Sequence, residues 1–469
     1  MIMFASLLVL MGCTGDFKEV VDFTDVENPN LSEESLVGQP NSATIWATGL
    51  ERELSRTFNE ILILAELGSD NYVNTQTFFN QFLDILDIRT TDPDIRDMQN
   101  QIARISKMAL FGLEEVGPND EKYELGTQAD FHFFLGMSRL LSGMYFSALP
   151  QETLGVPIPS MENIQAAIES FDAALALSPE PEYYLAKARA HYYLGNKAEA
   201  VNSANEALAL DGGFSRMARY DALNGPTNTM DDAIFGRGTF DDLQPLPTLD
   251  FLDPKYSRVD DLTDSPLHYL KAEEAYLILA EANLSDGNVP AARTNLEDLL
   301  NLVGTREVRN ISDGTEGRTE NDPGSRPDNS TVTVNGRTGL VLDRKTGNID
   351  VPSVSGTSLT LAEIASLADN DQALVLLYRT RQEIFIAEGL RFVDMGIKLV
   401  INENEILQND NISDADPSTI PVIPGFIASV VSDLDAITYD ADAGVATTVI
   451  DLNEILVANK SSQEVLPFH

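Results

Sequence analysis

The sequence predicts a mostly α fold, with antiparallel helical hairpins stacked into an α-superhelix and interrupted by long irregular loops and minor β structure. Three observations carry this expectation. Apolar residues recur at three- and four-residue spacing over long stretches. A hairpin pattern repeats: Ala167-Ile168 with Ala174-Leu175, Leu177 and Pro179 closes one unit, and Ala200-Val201 with Ala207-Leu208, Leu210 and Gly212 closes the next, 33 residues later. Two polar segments rich in glycine, proline or aspartate separate the helical blocks.

From Asn41 to about Phe111 the pattern is helical, with Ile45, Leu50, Leu54, Phe58, Ile61, Leu62 and Ala65 on one face. Trp46, the single tryptophan, falls in this pattern and is assigned to the core. Gly68-Ser69-Asp70-Asn71 breaks the helix, because these residues favour turns and caps. A further helix is predicted over Asp94–Leu113, following Pro93. The apolar stretch Leu125–Leu149 carries Gly136 and Gly143, ends at Pro150, and leads into an extended Gly155-Val156-Pro157-Ile158-Pro159. Small residues at Ala186, Ala188 and Ala190 lie between the two repeat ends, within Tyr183–Gly195. This arrangement resembles the tetratricopeptide repeat, in which small residues let paired helices pack closely and glycine turns the chain. Repeat units are assigned to about 125–212 and 266–302, the latter with Tyr269, Ala272, Ala275, Ala280, Gly287, Ala291-Ala292, Leu296 and Leu299. Loop insertions are assigned to 214–264 and 304–358, a late packing helix to 373–400, and mixed structure from Ile406 onward.

Cys13, the only cysteine, ends a short apolar run from Met1 to Gly12. That run is too short to span a bilayer and fits the hydrophobic region of an export signal, although no Lys or Arg precedes it. Leu-Met-Gly-Cys resembles the lipobox of bacterial lipoproteins. On this expectation 1–12 is a signal peptide, Cys13 is acylated, and 13–469 is one domain. The alternative is an ordinary buried first helix with an incidental thiol. Lys plus Arg total 31 against 74 Asp plus Glu, a net charge of −43. Such a surface repels nucleic acid and anionic headgroups, which excludes both as main partners. From Leu399 to Asn459 there is no Lys or Arg at all, a stretch assigned to a solvated face rather than to cation binding.

Four segments in order resemble the SusD/RagB nutrient-binding outer-membrane lipoproteins. They are the lipobox at Cys13; Ala129-Asp130-Phe131-His132-Phe133-Phe134-Leu135 leading to Leu149-Pro150 and Gly155-Val156-Pro157; Tyr269 to Ala282; and Tyr378-Arg379-Thr380-Arg381-Gln382-Glu383-Ile384-Phe385-Ile386-Ala387-Glu388-Gly389-Leu390-Arg391-Phe392-Val393-Asp394. The last is similar to the family's late helix, with Tyr378 in place of its first acid. Together they cover most of the chain from Cys13 to about Lys398, and the C-terminal sixth matches poorly. The resemblance implies a cell-surface lipoprotein of the outer membrane that captures oligosaccharides or peptides and passes them to a SusC-like TonB-dependent transporter. The rival reading is a tetratricopeptide scaffold lipoprotein that organises envelope complexes without a small ligand. Arg381, Glu388 and Arg391, and likewise Arg379 and Glu383, fall on neighbouring turns of the predicted helix and are read as structural ion pairs.

No catalytic centre or cofactor is predicted. His132, His191, His268 and His469 show no metal-ligand spacing, Cys13 is spent on the anchor, and no phosphate loop or nucleophile elbow occurs. Asp440-Ala441-Asp442-Ala443-Gly444 is faintly similar to a calcium loop but lacks the remaining ligands. Sugars stack on aromatic rings and hydrogen-bond to amides and acids, so ligand contacts are sought where loops place aromatics beside Asn and Asp. Two regions qualify: Asp70, Asn71, Tyr72, Asn74 and Phe78 in the first, and Phe235, Phe240 and Tyr256 in the loop from Phe235 to Tyr256. Taken singly, each aromatic is also what a buried loop anchor would look like.

Overall fold

The computed structural model describes residues 37–75, 80–235, 242–257, 264–312, 326–343, 347–368, 370–413 and 415–469. Cys13, Phe78 and Phe240 lie outside the described residues. Helix α1 (Ser42–Leu67) starts where the Asp120 carboxylate accepts the backbone N–H of Asn41 at 3.1 Å and of Ala43 at 3.0 Å. The cap thus comes from a distant turn, where no N-cap serine or aspartate precedes the helix. Trp46 is half-buried, its ring tilted 55° to that of Phe111 and its indole N–H donating to Met108 O at 2.7 Å. Helix α2 (Pro93–Phe111) begins one residue before the expected Asp94, with Asp92 as its cap and Pro93 at its first position, and runs on into a π-helical turn, Gly112–Val116.

Three hairpins follow: α3 (Leu125–Tyr145) with α4 (Ser160–Leu177), α5 (Pro181–Tyr193) with α6 (Lys197–Leu210), and α7 (Ala272–Ser285) with α8 (Val289–Val303). Small residues decide how close each pair comes. A Cβ on Gly136 would lie 2.5 Å from Phe171 Cε1, and one on Gly143 would lie 2.5 Å from the Ser160 carbonyl oxygen. In the second unit Ala186, Ala188, Ala190, Ala200, Ala204 and Ala207 are all fully buried. The turns of the second and third hairpins share one geometry. Gly195 and Gly287 take φ of 71° and 69°, and the next residue's N–H bonds back to the helix, Asn196 to His191 O at 2.9 Å and Asn288 to Asn283 O at 2.8 Å. This closes the helix ends with a glycine in the left-handed region. Arg189 joins the second and third hairpins, gripping Glu274 at 2.6–3.1 Å and the Tyr269 carbonyl at 2.7 Å.

Both insertions are pinned at their bases by short antiparallel pairs, Ser215–Ala218 with Leu267–Lys271 and Val308–Ser312 with Asn348–Pro352. The architecture is therefore mostly α with small sheets, as expected.

The late helix differs from the expectation. Instead of one helix over 373–400, α9 spans Asp371–Ile384, and a separate short helix, Leu390–Asp394, follows a break. Ala387 and Gly389 sit at positive φ, 57° and 78°, which a continuing helix does not allow. The carbonyls freed by the break find buried donors: Ile384 O receives Lys271 Nζ at 2.8 Å, Ile386 O receives Lys255 Nζ at 3.0 Å, and Ala387 O receives Tyr256 Oη at 3.0 Å. Consequently Arg381, Glu388 and Arg391 do not pair with one another. Arg381 binds Asp394, Glu388 is shared by Lys255 and Lys271, and Arg391 binds Asp70. Arg379 and Glu383 do lie on adjacent turns, 3.8 Å apart. The last helix, α10 (Leu452–Ala458), packs on α9.

Candidate functional site

Beyond the hairpins, the insertions and the start of the late helical block enclose a cleft of about 350 Å³. It is lined by Phe251, Arg337, Leu340, Ser358, Thr360 and Glu363, with Thr338, Gly339 and Thr357 completing the wall. Three segments distant in sequence meet here. Phe251 comes from the first insertion, in a 3-10 turn (Asp250–Tyr256) whose Phe251 N–H bonds Leu340 O at 3.0 Å and whose Asp250 carboxylate accepts Leu342 N–H at 2.8 Å. Arg337 follows a two-residue reversal, Asn335-Gly336, with both residues at positive φ (47° and 77°) and Val334 and Arg337 exchanging N–H to carbonyl bonds at 2.7 and 2.8 Å. An Asn-Gly pair suits this turn because both residues tolerate the left-handed region. The turn is clamped from outside: Thr448 N–H donates to Asn335 Oδ1 at 3.1 Å, and Asn335 Nδ2 donates to Thr448 Oγ1 at 2.9 Å. Thr448 closes the hairpin Ile437–Asp440 with Val445–Thr448, and the second of these strands also pairs in parallel with Thr333–Val334. The suggested calcium loop, Asp440 to Gly444, is the reversal of that hairpin, with Asp440 Oδ1 accepting the Ala443 N–H at 2.9 Å.

The third segment supplies the polar wall. Thr360 and Glu363 form a capping box at the start of the short helix Leu361–Ser366. Behind them on α9, Arg379 donates to Glu363 Oε1 at 2.7 Å. Burial disfavours the charged form of Glu363, but the hydrogen bonds from Arg379 and Thr360 outweigh it and hold the carboxyl below its ordinary range. Glu383 accepts Thr357 Oγ1 and the Ser358 N–H, each at 2.7 Å, and also the Ser358 hydroxyl. Ser358 Oγ in turn accepts from Arg337. An aromatic ring, hydroxyls, a guanidinium and a carboxylate thus border one cavity, a set able to stack on and hydrogen-bond a polyhydroxylated ligand.

The residues singled out in the sequence fall mostly elsewhere. Asp70, Asn71, Tyr72 and Tyr256 are buried. Asp70 receives Arg391 through two bonds of 2.6 and 2.8 Å, Asn71 donates to Glu66 at 2.7 Å, and Tyr256 caps the helix break. The contacts given for Asp70, Asn71 and Tyr256 are all internal to the fold. Asn74 is partly buried in the strand pair Tyr72–Asn74 with Leu243–Pro245, and Phe235 is partly buried against the main core. Only the broader expectation about the Phe235–Tyr256 loop leads to the cleft, through Phe251. Arg337, Ser358 and Glu363, which line the cleft, were not singled out in the sequence. Two legible signals marked their neighbourhood, the Asn335-Gly336 dipeptide and the Thr360-x-x-Glu363 capping pattern. Among the described residues no cluster of His, Cys, Asp and Glu is placed to hold a metal ion, and no helix is long and apolar enough to cross a membrane.

No protein-family model matches the chain, and no curated protein matches it. Solved structures do. A SusD superfamily protein of Bacteroides fragilis matches with a TM-score of 0.53 at 13% identity, over 80% of this chain and 99% of that one. A SusD-like protein of Bacteroides fragilis NCTC 9343 matches with a TM-score of 0.51 at 14% identity, over 78% and 88%. A SusD-like carbohydrate binding protein of the same strain matches with a TM-score of 0.50 at 11% identity, over 77% and 86%. With its paired helices, broken late helix and loop insertions, the chain has the SusD-like fold.

Proposed function

We propose that this chain is a SusD/RagB-type surface lipoprotein that binds a saccharide in the Phe251–Arg337–Glu363 cleft and delivers it to a SusC-like TonB-dependent transporter in the outer membrane. The observation that carries the binding step is the cleft itself, a partly exposed phenyl ring beside fixed hydroxyl, guanidinium and carboxylate groups. Saccharide recognition needs that combination, an apolar face for the ring carbons and directed polar groups for the hydroxyls. The SusD-like fold supports the same reading, since one of the similar structures is described as carbohydrate binding. Binding without turnover fits the site, whose carboxylates Glu363 and Glu383 are both committed to internal partners.

A panel of oligosaccharides should include members that raise the melting temperature, as any ligand specific to the folded state does. Phe251→Ala should abolish that shift without unfolding the protein. If no glycan stabilises it and envelope assembly factors copurify instead of a TonB-dependent β-barrel, the scaffold reading replaces this one. Membrane attachment through Cys13 has its own test: Cys13→Ala should lose acylation and leave the membrane fraction.

A further inference from the structure

We propose that the cleft selects saccharides bearing an anionic substituent, a uronic carboxylate or a sulfate ester, and that Arg337 receives that group. This rests on the saccharide reading of the same cleft. The charges of the cleft are unevenly satisfied. Glu363 is taken by Arg379 and by Thr360, whose N–H and hydroxyl donate at 2.9 and 2.8 Å. Glu383 is taken by Thr357, Ser358 and the nearby Arg379. Arg337 is left over. Among the described residues no carboxylate forms an ion pair with it, and its guanidinium donates to a neutral hydroxyl, Ser358, whose own proton goes to Glu383.

Arg139 and Arg309, also half-buried, likewise bond neutral oxygens, but of the three it is Arg337 that lines the cleft. The three most deeply buried arginines each grip a carboxylate: Arg189 holds Glu274 at 2.6 Å, Arg381 holds Asp394 at 2.7 Å, and Arg391 holds Asp70 at 2.6 Å. A guanidinium carries five N–H donors in a fixed fork, so one bond to Ser358 leaves most of them for whatever fills the cleft. Burial, and next the neighbouring Arg379 cation, weaken Arg337's hold on its proton, with Glu383 and Glu363 offsetting this only in part, so an incoming anion would relieve a remaining penalty. The Asn335-Gly336 turn and its clamp to Thr448 fix the fork in place, which lowers the ordering cost of a two-pronged contact to a planar carboxylate or a sulfate. The net charge of −43 repels densely charged polyanions at long range, so sparse acidic substituents on a neutral backbone fit best.

The test uses matched sets of oligosaccharides on xylan, glucan and galactan backbones: neutral, uronate-substituted and sulfated. Calorimetry on the full chain should show one acidic member bound at least about tenfold tighter than its neutral counterpart, with the uronate and sulfate arms telling which group is preferred. In Arg337→Met the acidic and neutral members should bind alike, and Arg337→Lys, which keeps the charge but not the fork, should fall between. Equal affinity for acidic and neutral members in the native protein, or an acidic preference that survives Arg337→Met, overturns this inference while leaving the saccharide reading intact. Binding untouched by Phe251→Ala moves the site elsewhere and overturns both the assigned cleft and this inference. No binding by any member removes the saccharide reading and the inference with it.

Discussion

Glu281 shows what a single buried carboxyl does in this interior. Tyr192 and Tyr378 both donate to its Oε2, at 2.7 and 3.2 Å, while its Oε1 is buried with no hydrogen-bond partner. Burial pushes its pKa from 4.5 up to about 7, only partly offset by the tyrosine hydrogen bonds. Glu66, accepting from Asn71 and from the Gly389 N–H, is likewise raised to about 7 by burial. For an acid whose folded pKa exceeds its unfolded one, the native state holds more protons across the gap, so stability is full below about pH 4.5 and falls as pH rises toward 7. Each group costs on the order of 3 kcal/mol over that window. Denaturant titrations at pH 5 and pH 7.5 should therefore show a smaller loss in Glu281→Gln than in the native chain. Equal losses would mean that Glu281 is ionised throughout. None of this was legible in the sequence: Glu281 reads there as one more acid of a repeat helix, and its burial depends on tyrosines some 90 positions away on either side. Asp70, Asn71 and Tyr72, singled out in the sequence as ligand contacts, are buried for the same reason. Their polarity suggested a binding loop, but Arg391 and Gln382, which donate to Asp70 and Asn71, come from more than 300 positions away.

At the scale of elements, local chemistry was readable where it is self-contained. The break after Leu67, the proline-led start of α2 and the glycine turns at 195 and 287 follow from the residues present. So does the close approach of α3 and α4. A methyl group on Gly143 would meet the Ser160 carbonyl and Ile164 Cγ1, each at 2.5 Å, and one of these is backbone and cannot swing aside. Gly143→Ala should cost about 1–3 kcal/mol through overpacking, measured by urea denaturation, despite alanine's better helix propensity. A neutral or stabilising outcome would show that the hairpin is looser than described. The late helix resisted this kind of reading. Helical spacing from Ala362 to Ile401 is continuous in the sequence, and Gly389 alone hints at a break. What ends the helix is lateral: Lys255, Lys271 and Tyr256 satisfy the carbonyls that a bend exposes, and all three come from segments far upstream.

Across the whole molecule, Arg391 links three distant regions. It binds Asp70 beyond the end of α1 and Asn453 in α10, the latter at 2.9 Å, from a short helix between them. Arg391→Met would leave Asp70 as a buried, unpaired charge and should cost about 3–5 kcal/mol. Trp46 fluorescence and far-ultraviolet circular dichroism should then report one shifted transition; two separated transitions would show that the helices of the N-terminal part unfold independently. The repeats and insertions were legible because each announces itself within a few dozen residues. The cleft was not, since its walls become neighbours only after the hairpins stack. The clamp of Thr448 on Asn335 adds an order in time. Ribosomes deliver the hairpins before Thr448, so a nascent chain gains its supporting stack before the Asn335-Gly336 turn gains its brace. A polypeptide released before that threonine would carry Arg337 on an unbraced turn, over a stack already assembled.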